Sequence, residues 1–597
     1  MRRILAIGLV LLVSLGVAAQ ERQGLFVPRE KVGGPMLFCS RIISVNRAQG
    51  KVFADGQRNP YPVLVQFVPD EDSAFLLLRE LREEAPGRGR GEGRRRGSGR
   101  RGGFGPVRFP VLEETPDGFL IDVSSYFSTY PEAVSAIPPK VLQGPAVAHE
   151  IIGVATNDRY LQVTGRYAYQ SGLETTAACY LIFLKEELMP VRTVDPEKAG
   201  YNGVDFRTAD GQRSKRSHRW AIEPGTVIDF YVDRSMPAEW YSYIKEGIED
   251  WNLAFRAIGL GDVLAVHPEP EDGSFDRNAP LVNMVRFMDV DESNAKGDVL
   301  VDPRSGEILQ ADILWWKGVV DLICGWRYVQ TGAADPAARS RSYSVEMLGP
   351  MIRHAICHEM GHALGLSHNM GASYAYPSDS LLSPSFTRQY GTAASVMDYA
   401  RYNHLATAED VAAGVNLLPP RVGPYDYYAI ACGYGPEDAA VPGPYCYFAP
   451  FISAAISPDP SSQPETLGND LIRSSQAGIR NCRALLQLDG LDSLRLDLIR
   501  RHYYQYIFLA LSNIGGTVCE EYVGRRTSDR TLAFVMEALA TVPPAIADEK
   551  QKRRILDELT GNFLPERVQK NGGEKELRHY YRKLKRLTNK YPNLFIS

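Results

Sequence analysis

The spacing of apolar residues changes along the chain, and its first part is typical of β-structure. Between residues 25 and 185, short runs of β-branched and aromatic residues are separated by turn residues, as in β-strands. The predicted strands are Val63–Val68, Phe119–Val123, Tyr160–Tyr169 and Ala178–Leu184. We therefore predict a β-rich N-terminal domain at residues 20–200.

From about residue 227 the pattern alternates between strands and helices. Val227–Val232, Leu281–Met288 and Glu307–Trp315 are predicted strands. After the first strand, apolar residues recur every three or four positions, which predicts a helix with one apolar face. These residues are Trp240, Ile244, Ile248, Trp251 and Phe255. A second helix is predicted over Tyr343–Leu364, with Gly349-Pro350 delaying its regular start. This order predicts a mixed α/β domain at residues 201–430.

The last part of the chain is predicted to be mainly helical. Beyond about residue 420, loops rich in Gly, Pro and Tyr lead into helical stretches such as Leu494–Leu511, Leu532–Ala540 and Glu574–Thr588. We assign residues 431–597 to this region. The fold class predicted for the whole chain is α+β, with a β-rich beginning and a helical end.

Residues 1–19 have the layout of a secretory signal peptide. Met1-Arg2-Arg3 is positively charged, the 16 residues from Ile4 to Ala19 are almost wholly apolar, and Val17-Ala18-Ala19 supplies small residues for cleavage. The apolar run is shorter than the about 20 residues of a spanning helix, although an uncleaved anchor is the alternative. We expect an exported protein, periplasmic, cell-surface or secreted, with no membrane span in the mature chain.

Composition excludes some classes of protein. With 44% hydrophobic and 23% charged residues, the chain is neither disordered nor fibrous throughout, and a net charge of −4 gives no reason to expect nucleic acid as a partner. The tract at 86–106 holds seven Arg and nine Gly and cannot form a packed core, so we interpret it as a disordered surface insertion. A nucleic-acid-binding Arg/Gly segment is the alternative for this tract. Eight cysteines fit an exported protein, and Cys432 with Cys446 is the local disulfide considered.

The candidate chemistry lies in a cluster of histidines. The chain has 10 histidines, and four of them lie between His354 and His368. On a helix, His358 and His362 project from one face, one turn apart. Gly365 can end the helix, so that His368 reaches the same ion from another direction. Three imidazoles leave a fourth position open for water, which is typical of catalytic zinc.

The neighbouring residues complete a hydrolytic site. Glu359 follows the first histidine, and its carboxylate can reach a water molecule on the metal without binding the metal itself. Zinc lowers the pKa of that water to about 7, so Glu359 can act as the general base. His354 also lies on this face, but choosing it as a ligand would leave His368 and Gly365 unexplained. We expect His354 to pack or to form a hydrogen bond.

In a second motif, Ser395-Val396-Met397-Asp398-Tyr399, the methionine lies 29 residues beyond His368. Together with the histidine helix it resembles the Met-turn of the metzincin clan of zinc endopeptidases. The resemblance implies that Met397 forms a hydrophobic floor under the three histidines. It also implies that Tyr399 binds zinc or stabilises the oxyanion, because a phenol can donate to a negatively charged intermediate. A packed aromatic side chain is the alternative for Tyr399.

One branch of the clan is more similar. His368-Asn369-Met370, Asp302–Ile308 and Ser395–Arg401 resemble large exported bacterial zinc-dependent metalloproteases with a zinc-binding domain of the EcxA toxin type. The similarity runs from about Leu25 to beyond residue 560. It implies a metzincin-like catalytic domain with a twisted mixed sheet and two long helices. It also implies a cleft-edging strand that pairs with substrate, for which Gly306–Trp315 has the expected place.

These interpretations predict an exported zinc-dependent endopeptidase that acts on protein or peptide substrates with one catalytic Zn²⁺. The alternatives are a zinc amidase on a non-peptide cell-wall or glycan substrate, and a non-catalytic exported binding protein. Ca²⁺ is considered but unsupported, because the acidic stretch Asp289 to Asp302 lacks the spacing of a calcium loop and favours a solvated turn. The N-terminal domain is a prosegment, a docking module or a stable partner of the catalytic domain. Cys39 could block the zinc as a thiolate, but nothing around it favours that over burial.

Overall fold

The computed structural model describes residues 22–46, 55–81, 104–142, 144–207, 212–273, 275–436, 442–451, 459–511 and 524–561. The signal peptide predicted at 1–19, residues 86–103 of the Gly/Arg tract, Cys519 and the predicted helix Glu574–Thr588 lie outside these ranges. The chain folds into two compact units, and it passes from the first to the second between Glu187 and Leu188. Within the described ranges, no helix has both the length and the apolarity needed to cross a membrane.

The first unit is built on nine antiparallel strands, in agreement with the predicted β-rich region. They are β1 (Gly24–Pro28), β2 (Met36–Val45), β3 (Val63–Pro69), β4 (Phe75–Glu80), β5 (Val107–Glu114), β6 (Gly118–Asp122), β7 (Ala148–Thr156), β8 (Tyr160–Ala168) and β9 (Glu174–Phe183), with one short helix, α1 (Pro139–Leu142). Their order is β1-β6-β5-β4-β3-β2-β9-β8-β7. The sheet curls around an apolar core until its end strands touch, where Thr156 Oγ1 donates to the Phe26 carbonyl at 2.6 Å.

The second unit contains a hairpin and a five-stranded mixed sheet. The strands are β10 (Gly203–Arg207), β11 (Arg213–Ser217), β12 (Ile228–Val232), β13 (Leu264–Pro268), β14 (Asn283–Met288), β15 (Ala295–Val301) and β16 (Ile308–Trp316). The sheet order is β13-β12-β14-β16-β15, and only β15 is antiparallel to its neighbour.

The strand at the edge of this sheet is not the predicted one. β16 pairs with β14 on one side and β15 on the other, so the assignment of Gly306–Trp315 to the edge is wrong. The strand at this edge of the sheet is β15, which lies inside the stretch interpreted as a solvated turn, and β13 forms the opposite edge. Edge strands commonly carry charged residues, and here Lys296 forms an ion pair with Asp298 at 2.8 Å. Of the acidic residues that suggested a turn, Asp298 belongs to this edge strand, whereas Asp289, Asp291 and Glu292 precede it outside any strand.

Twelve helices are described in the second unit. They are α2 (Tyr241–Glu249), α3 (Asn252–Ala257), α4 (Val319–Thr331), α5 (Val345–Ala363), α6 (Gly371–Tyr374), α7 (Pro384–Tyr390), α8 (Ala408–Ala412), α9 (Pro424–Tyr434), α10 (Leu471–Leu485), α11 (Ser493–Ala510), α12 (Gly524–Ala540) and α13 (Glu549–Gly561). The helical character predicted for the C-terminal part is confirmed. The sequence analysis did not predict α4, and it assigned the residues of α9 to loops rich in Gly, Pro and Tyr. α9 is apolar around most of its circumference and shows little helical periodicity.

The first predicted long helix is divided into α2 and α3. At the junction, the N–H of Leu253 bonds to the carbonyl of Asp250 at 3.2 Å, the shorter i to i+3 pattern of a 3₁₀ turn. The predicted apolar face survives this irregularity, since Ile244, Ile248 and Phe255 are fully buried.

The second long helix, α5, starts earlier than expected. It begins at Val345 and continues through Pro350, so the expected delay at Gly349-Pro350 is wrong. Proline removes one hydrogen bond close to the helix start, a loss that packing can offset. Gly349 permits that packing, because a Cβ there would overlap the ring of Tyr243 in α2.

The C-terminal helices share a core with α4, which lies earlier in the same unit. Tyr328 and Val329 of α4 belong to the same buried cluster as Tyr503 and Ile507 of α11 and Met536 of α12. The Asn481 side chain of α10 also donates to the carbonyl of Gln330 at 2.9 Å. The helical region therefore supports α4, which lies beside the candidate site.

We expect Gly349→Ala to destabilise the second unit by about 1–3 kcal/mol, because the new methyl group would overlap the Tyr243 ring. Urea unfolding followed by tryptophan fluorescence measures this, since all 6 tryptophans lie beyond residue 187.

Gly325→Ala in α4 is the matched control. Its Cβ would lie 3.3 Å from the flexible end of Leu498, so the gain in helix propensity should dominate. Equal stability of the two variants would contradict the proposed close contact.

Candidate metal centre

Three histidines converge at the C-terminal end of α5. His358 and His362 lie one helical turn apart, and Gly365 reverses the chain with φ of +93° directly after the helix. This left-handed conformation favours glycine. His368 thereby returns to the first two histidines, and one ligand atom from each lies within 4.8 Å of the others.

Backbone carbonyls set the orientation of two of the rings. Nδ1–H of His358 donates to Val396 at 2.7 Å, and Nδ1–H of His362 donates to Leu366 at 2.8 Å. Because a carbonyl only accepts, these bonds place the proton on Nδ1 and leave the Nε2 lone pair free for a metal. The Nε2 atoms of His362 and His368 are 3.1 Å apart, a distance that suits two ligands of one cation.

The environment favours the neutral form of two of the imidazoles. Burial lowers the pKa of His358 well below its ordinary value, and the neighbouring histidines add to this effect. Burial, with smaller contributions from His362 and Arg401, lowers the pKa of His368 to about 3. Neutral imidazoles are the form that binds metal ions, and three of them suit catalytic zinc. The donor set therefore fits a zinc ion.

Glu359 lies between the histidine helix and the edge strand. Its carboxylate accepts a hydrogen bond from the N–H of Gly297 in β15 at 2.7 Å. Burial raises its pKa, and the nearby His362 and the Gly297 amide oppose that shift. Gly297 allows this approach, because a Cβ there would lie 2.8 Å from Cβ of His362. A buried carboxylate with a raised pKa is suited to taking and returning protons near neutral pH.

Met397 lies beneath the histidine helix. A Cβ on Gly361, which is between the two helical histidines, would overlap the sulfur of Met397 and lie 2.8 Å from the Trp251 ring. Met397 is fully buried. The structure thus places this side chain against the ligand helix, as the resemblance to a Met-turn implies.

Two buried carboxylates hold the turn that contains Met397. Asp426 of α9 accepts from the Ser395 hydroxyl at 2.5 Å and from the Val396 amide at 2.9 Å. Asp398 accepts from the amides of Ser373 at 2.6 Å and Ala400 at 2.9 Å. Burial raises the pKa of each carboxyl to about 7, while these hydrogen bonds lower it. The carbonyl of Val396 is consequently well placed to orient His358.

Tyr399 packs directly against the ligands. Its ring centroid is 4.6 Å from that of His368 and 5.8 Å from that of His358. The exposed ring of Phe451 lies on the same side, 5.7 Å from His368 and 6.0 Å from Tyr399. The structure therefore places Tyr399 next to the histidines, where its phenol can take part in the chemistry of the site.

A cavity of about 210 Å³ opens beside the histidines. The edge strand contributes Lys296, α4 contributes Leu322 and Trp326, and α5 contributes Met351 as well as Glu359. Its wall away from the histidines is mainly apolar. The cavity is suited to an apolar side chain of a bound substrate.

The other histidine of this face has a different position. His354 donates through Nδ1–H to the Pro420 carbonyl at 2.7 Å, and burial lowers its pKa to about 4. It lines the cavity and does not belong to the three-histidine group. The hydrogen bond is the role expected for it.

The cysteine hypotheses find little support. Cys432 and Cys446 are free thiols, so the local disulfide is not formed. Cys39 is buried in β2, and burial raises its pKa to about 11. A thiol of this kind is protonated near neutral pH, which disfavours its use as a thiolate inhibitor.

Several residues of the site were not recognised from sequence. Gly297 donates from its backbone amide and Asp426 accepts with its carboxylate, and neither residue stands in a motif that indicates a metal site. Phe451 lies in a Gly- and Pro-rich segment that is 83 positions beyond His368. For Gly297, the available sequence signal was the presence of charged residues on an edge strand. For Asp426, it was an acidic residue at the start of a helix.

Comparison with known proteins agrees with this geometry. Residues 341–443 match a domain family described as Met-zincin. The matched segment contains the three histidines, Glu359, Met397 and Tyr399. No curated protein and no solved structure matches the chain. The family match and the histidine triad together support a zinc-dependent metallopeptidase of the metzincin type.

We expect about one zinc ion per chain, because the three imidazoles leave a single common centre. His362→Ala and His368→Ala should each lose most of this zinc, whereas His354→Ala, the matched control, should retain it. Elemental analysis of the purified variants gives the stoichiometry. Wild-type protein without zinc after loading, or His354→Ala losing as much as His368→Ala, would contradict the assignment.

Proposed function

We propose that the protein is an exported zinc-dependent endopeptidase that hydrolyses peptide bonds in protein or peptide substrates. The observation that carries the proposal is the convergence of His358, His362 and His368, with Glu359 buried beside them. A purely structural zinc site has no need for a base at this place. Export rests on the layout of residues 1–19, and a relationship to the EcxA-type branch rests on the quoted motifs.

The three imidazoles would hold the metal through their Nε2 atoms. A zinc ion bound there supplies Lewis-acid chemistry that polarises a peptide carbonyl and lowers the pKa of a water molecule to about 7. Glu359 then takes a proton from the attacking water and passes it to the nitrogen of the leaving amine. The Gly297 amide orients the carboxylate for both transfers, since it engages Oε2.

Tyr399 is proposed to stabilise the negative charge that develops on the carbonyl oxygen. The phenol is a hydrogen-bond donor, and burial raises its pKa, so the hydroxyl keeps its proton. Its packing against His368 fixes the direction of the ring before substrate binds. A preorganised donor of this kind stabilises the transition state without reorganisation during the reaction.

Substrate binding in extended form is supported by β15. In the described part of the sheet, no strand pairs with the outer side of β15. Backbone groups of β15 other than the Gly297 amide, which is bonded to Glu359, can therefore add a substrate strand, a mode in which main-chain bonds give affinity and pockets give selectivity. The adjacent cavity, with Leu322, Trp326 and Met351, favours an apolar substrate side chain.

We expect Glu359→Gln to retain zinc and to lose at least about 1,000-fold in kcat, because the amide cannot accept the proton. A peptide-library assay with and without a chelator measures activity, and mass spectrometry of the products separates peptide cleavage from hydrolysis of a glycan or cell-wall amide. Glu346→Gln, at the exposed start of α5, is the control. Undiminished turnover by Glu359→Gln would overturn the mechanism.

Tyr399→Phe should lower kcat by about 10- to 1,000-fold with little change in KM, since the lost donor acts in the transition state. The ring remains, so zinc content should stay near that of the wild type. Steady-state kinetics on one cleaved peptide gives both constants, with Tyr61→Phe as an exposed control. An unchanged kcat would assign Tyr399 to packing alone.

A further inference from the structure

Arg401 is placed between two aromatic rings at the zinc centre. Its guanidinium carbon lies 3.7 Å from the ring centroid of Trp326 and 4.6 Å from that of Tyr399. The side chain is 15% exposed and lines the cavity that contains Glu359 and the histidines. A planar cation held between two aromatic faces restrains both rings, so the position of Arg401 bears directly on Tyr399.

The charge of Arg401 is balanced by a residue far along the chain. Nε and Nη2 of Arg401 donate to the same Oε1 of Glu465, at 3.3 and 3.2 Å. Oε2 of Glu465 is buried, and no hydrogen-bond partner for it is found in the described ranges. Glu465 also has φ of +62°, a strained value for a residue with a side chain. Strain of this kind persists only where the surroundings impose it.

The segment carrying Glu465 is fixed to the Met-turn region on both sides. Leu467 is buried in one apolar cluster with Ala394 and Ala400, which flank the Met397 turn. The amide of Leu467 donates to Ser474 in α10 at 3.1 Å. These contacts of the C-terminal region therefore hold Glu465 next to Arg401.

We propose that Arg401, held by Glu465, is a positioning residue that keeps Tyr399 packed against His368. The C-terminal region thereby completes a zinc centre whose ligands all come from residues 358–368. The inference rests on the proposed function for the role of Tyr399 in catalysis. Its effect on the His368 ring is independent of that role, because the two rings are in contact whether or not substrate is hydrolysed.

The test is a double-mutant cycle in the full-length protein, with zinc affinity measured by chelator competition and kcat and KM measured on one peptide. We expect Arg401→Met to weaken zinc binding and to lower kcat, each by about 10-fold, with KM nearly unchanged. Glu465→Gln should act in the same direction, because it leaves a buried cation without its counter-charge. Arg401→Lys should have a zinc affinity and a kcat close to those of Arg401→Met, since an ammonium group lacks the planar face that stacks on the rings.

The background variant Tyr399→Ala decides whether Arg401 acts through Tyr399. Adding Arg401→Met there should change zinc affinity and kcat by less than about 2-fold. Arg304→Met is the matched control, because Arg304 is 12% exposed, is paired with Asp302 at 2.6 Å and does not line the cavity. Arg304→Met should retain the wild-type zinc affinity and kcat.

Two results would overturn the inference. One is wild-type zinc affinity and kcat in both Arg401→Met and Glu465→Gln. The other is a loss of zinc affinity and kcat from Arg401→Met in the Tyr399→Ala background that is as large as the loss in the wild-type background. If the wild type binds zinc but hydrolyses no peptide, the proposed function fails, and the zinc-affinity cycle alone still decides the role of Arg401.

Discussion

The zinc centre depends on how closely α5 is packed by the elements around it. At three crossings the contact is made where a residue has no side chain. A Cβ on Gly247 of α2 would lie 2.7 Å from the Arg353 carbonyl, a Cβ on Gly297 would press on His362, and a Cβ on Gly361 would overlap Met397. Interiors packed at this density transmit small displacements. The histidines and Glu359 are consequently held by the helix as a whole.

This packing also buries the side chains of His358 and Glu359, and the electrostatics of the site follow from that burial. Glu359, Asp398 and Asp426 are all buried, and each accepts a backbone amide hydrogen bond. In a medium of low dielectric constant such bonds are stronger than in water, and an unmet partner is costly. The same desolvation disfavours protonated imidazoles at His358 and His368. One physical condition, burial, thus acts on both the ligands and the base.

The sequence predicted those features of the site that depend on residues a few positions apart. The spacing of His358 and His362 follows from helix geometry alone, and a glycine three residues later accounts for the return of His368. Strand patterns in the first unit were equally local, and four predicted strands are present. The reasoning failed for β15, because charged residues on an edge strand and in a turn look alike in sequence. It also failed for α4, whose apolar residues face neighbours on several sides.

The sequence by itself therefore determined the chemistry: three histidines, a glutamate and a Met-containing turn, each defined by neighbours within a few positions. Tertiary structure decided which strand borders the site, which amide holds Glu359, and how Arg401 meets Glu465 across 64 positions. The physical reason is that helical periodicity constrains residues one turn apart, whereas the pairing of distant segments depends on the packing of the entire unit. A pattern of neighbouring residues does not predict how distant segments pack.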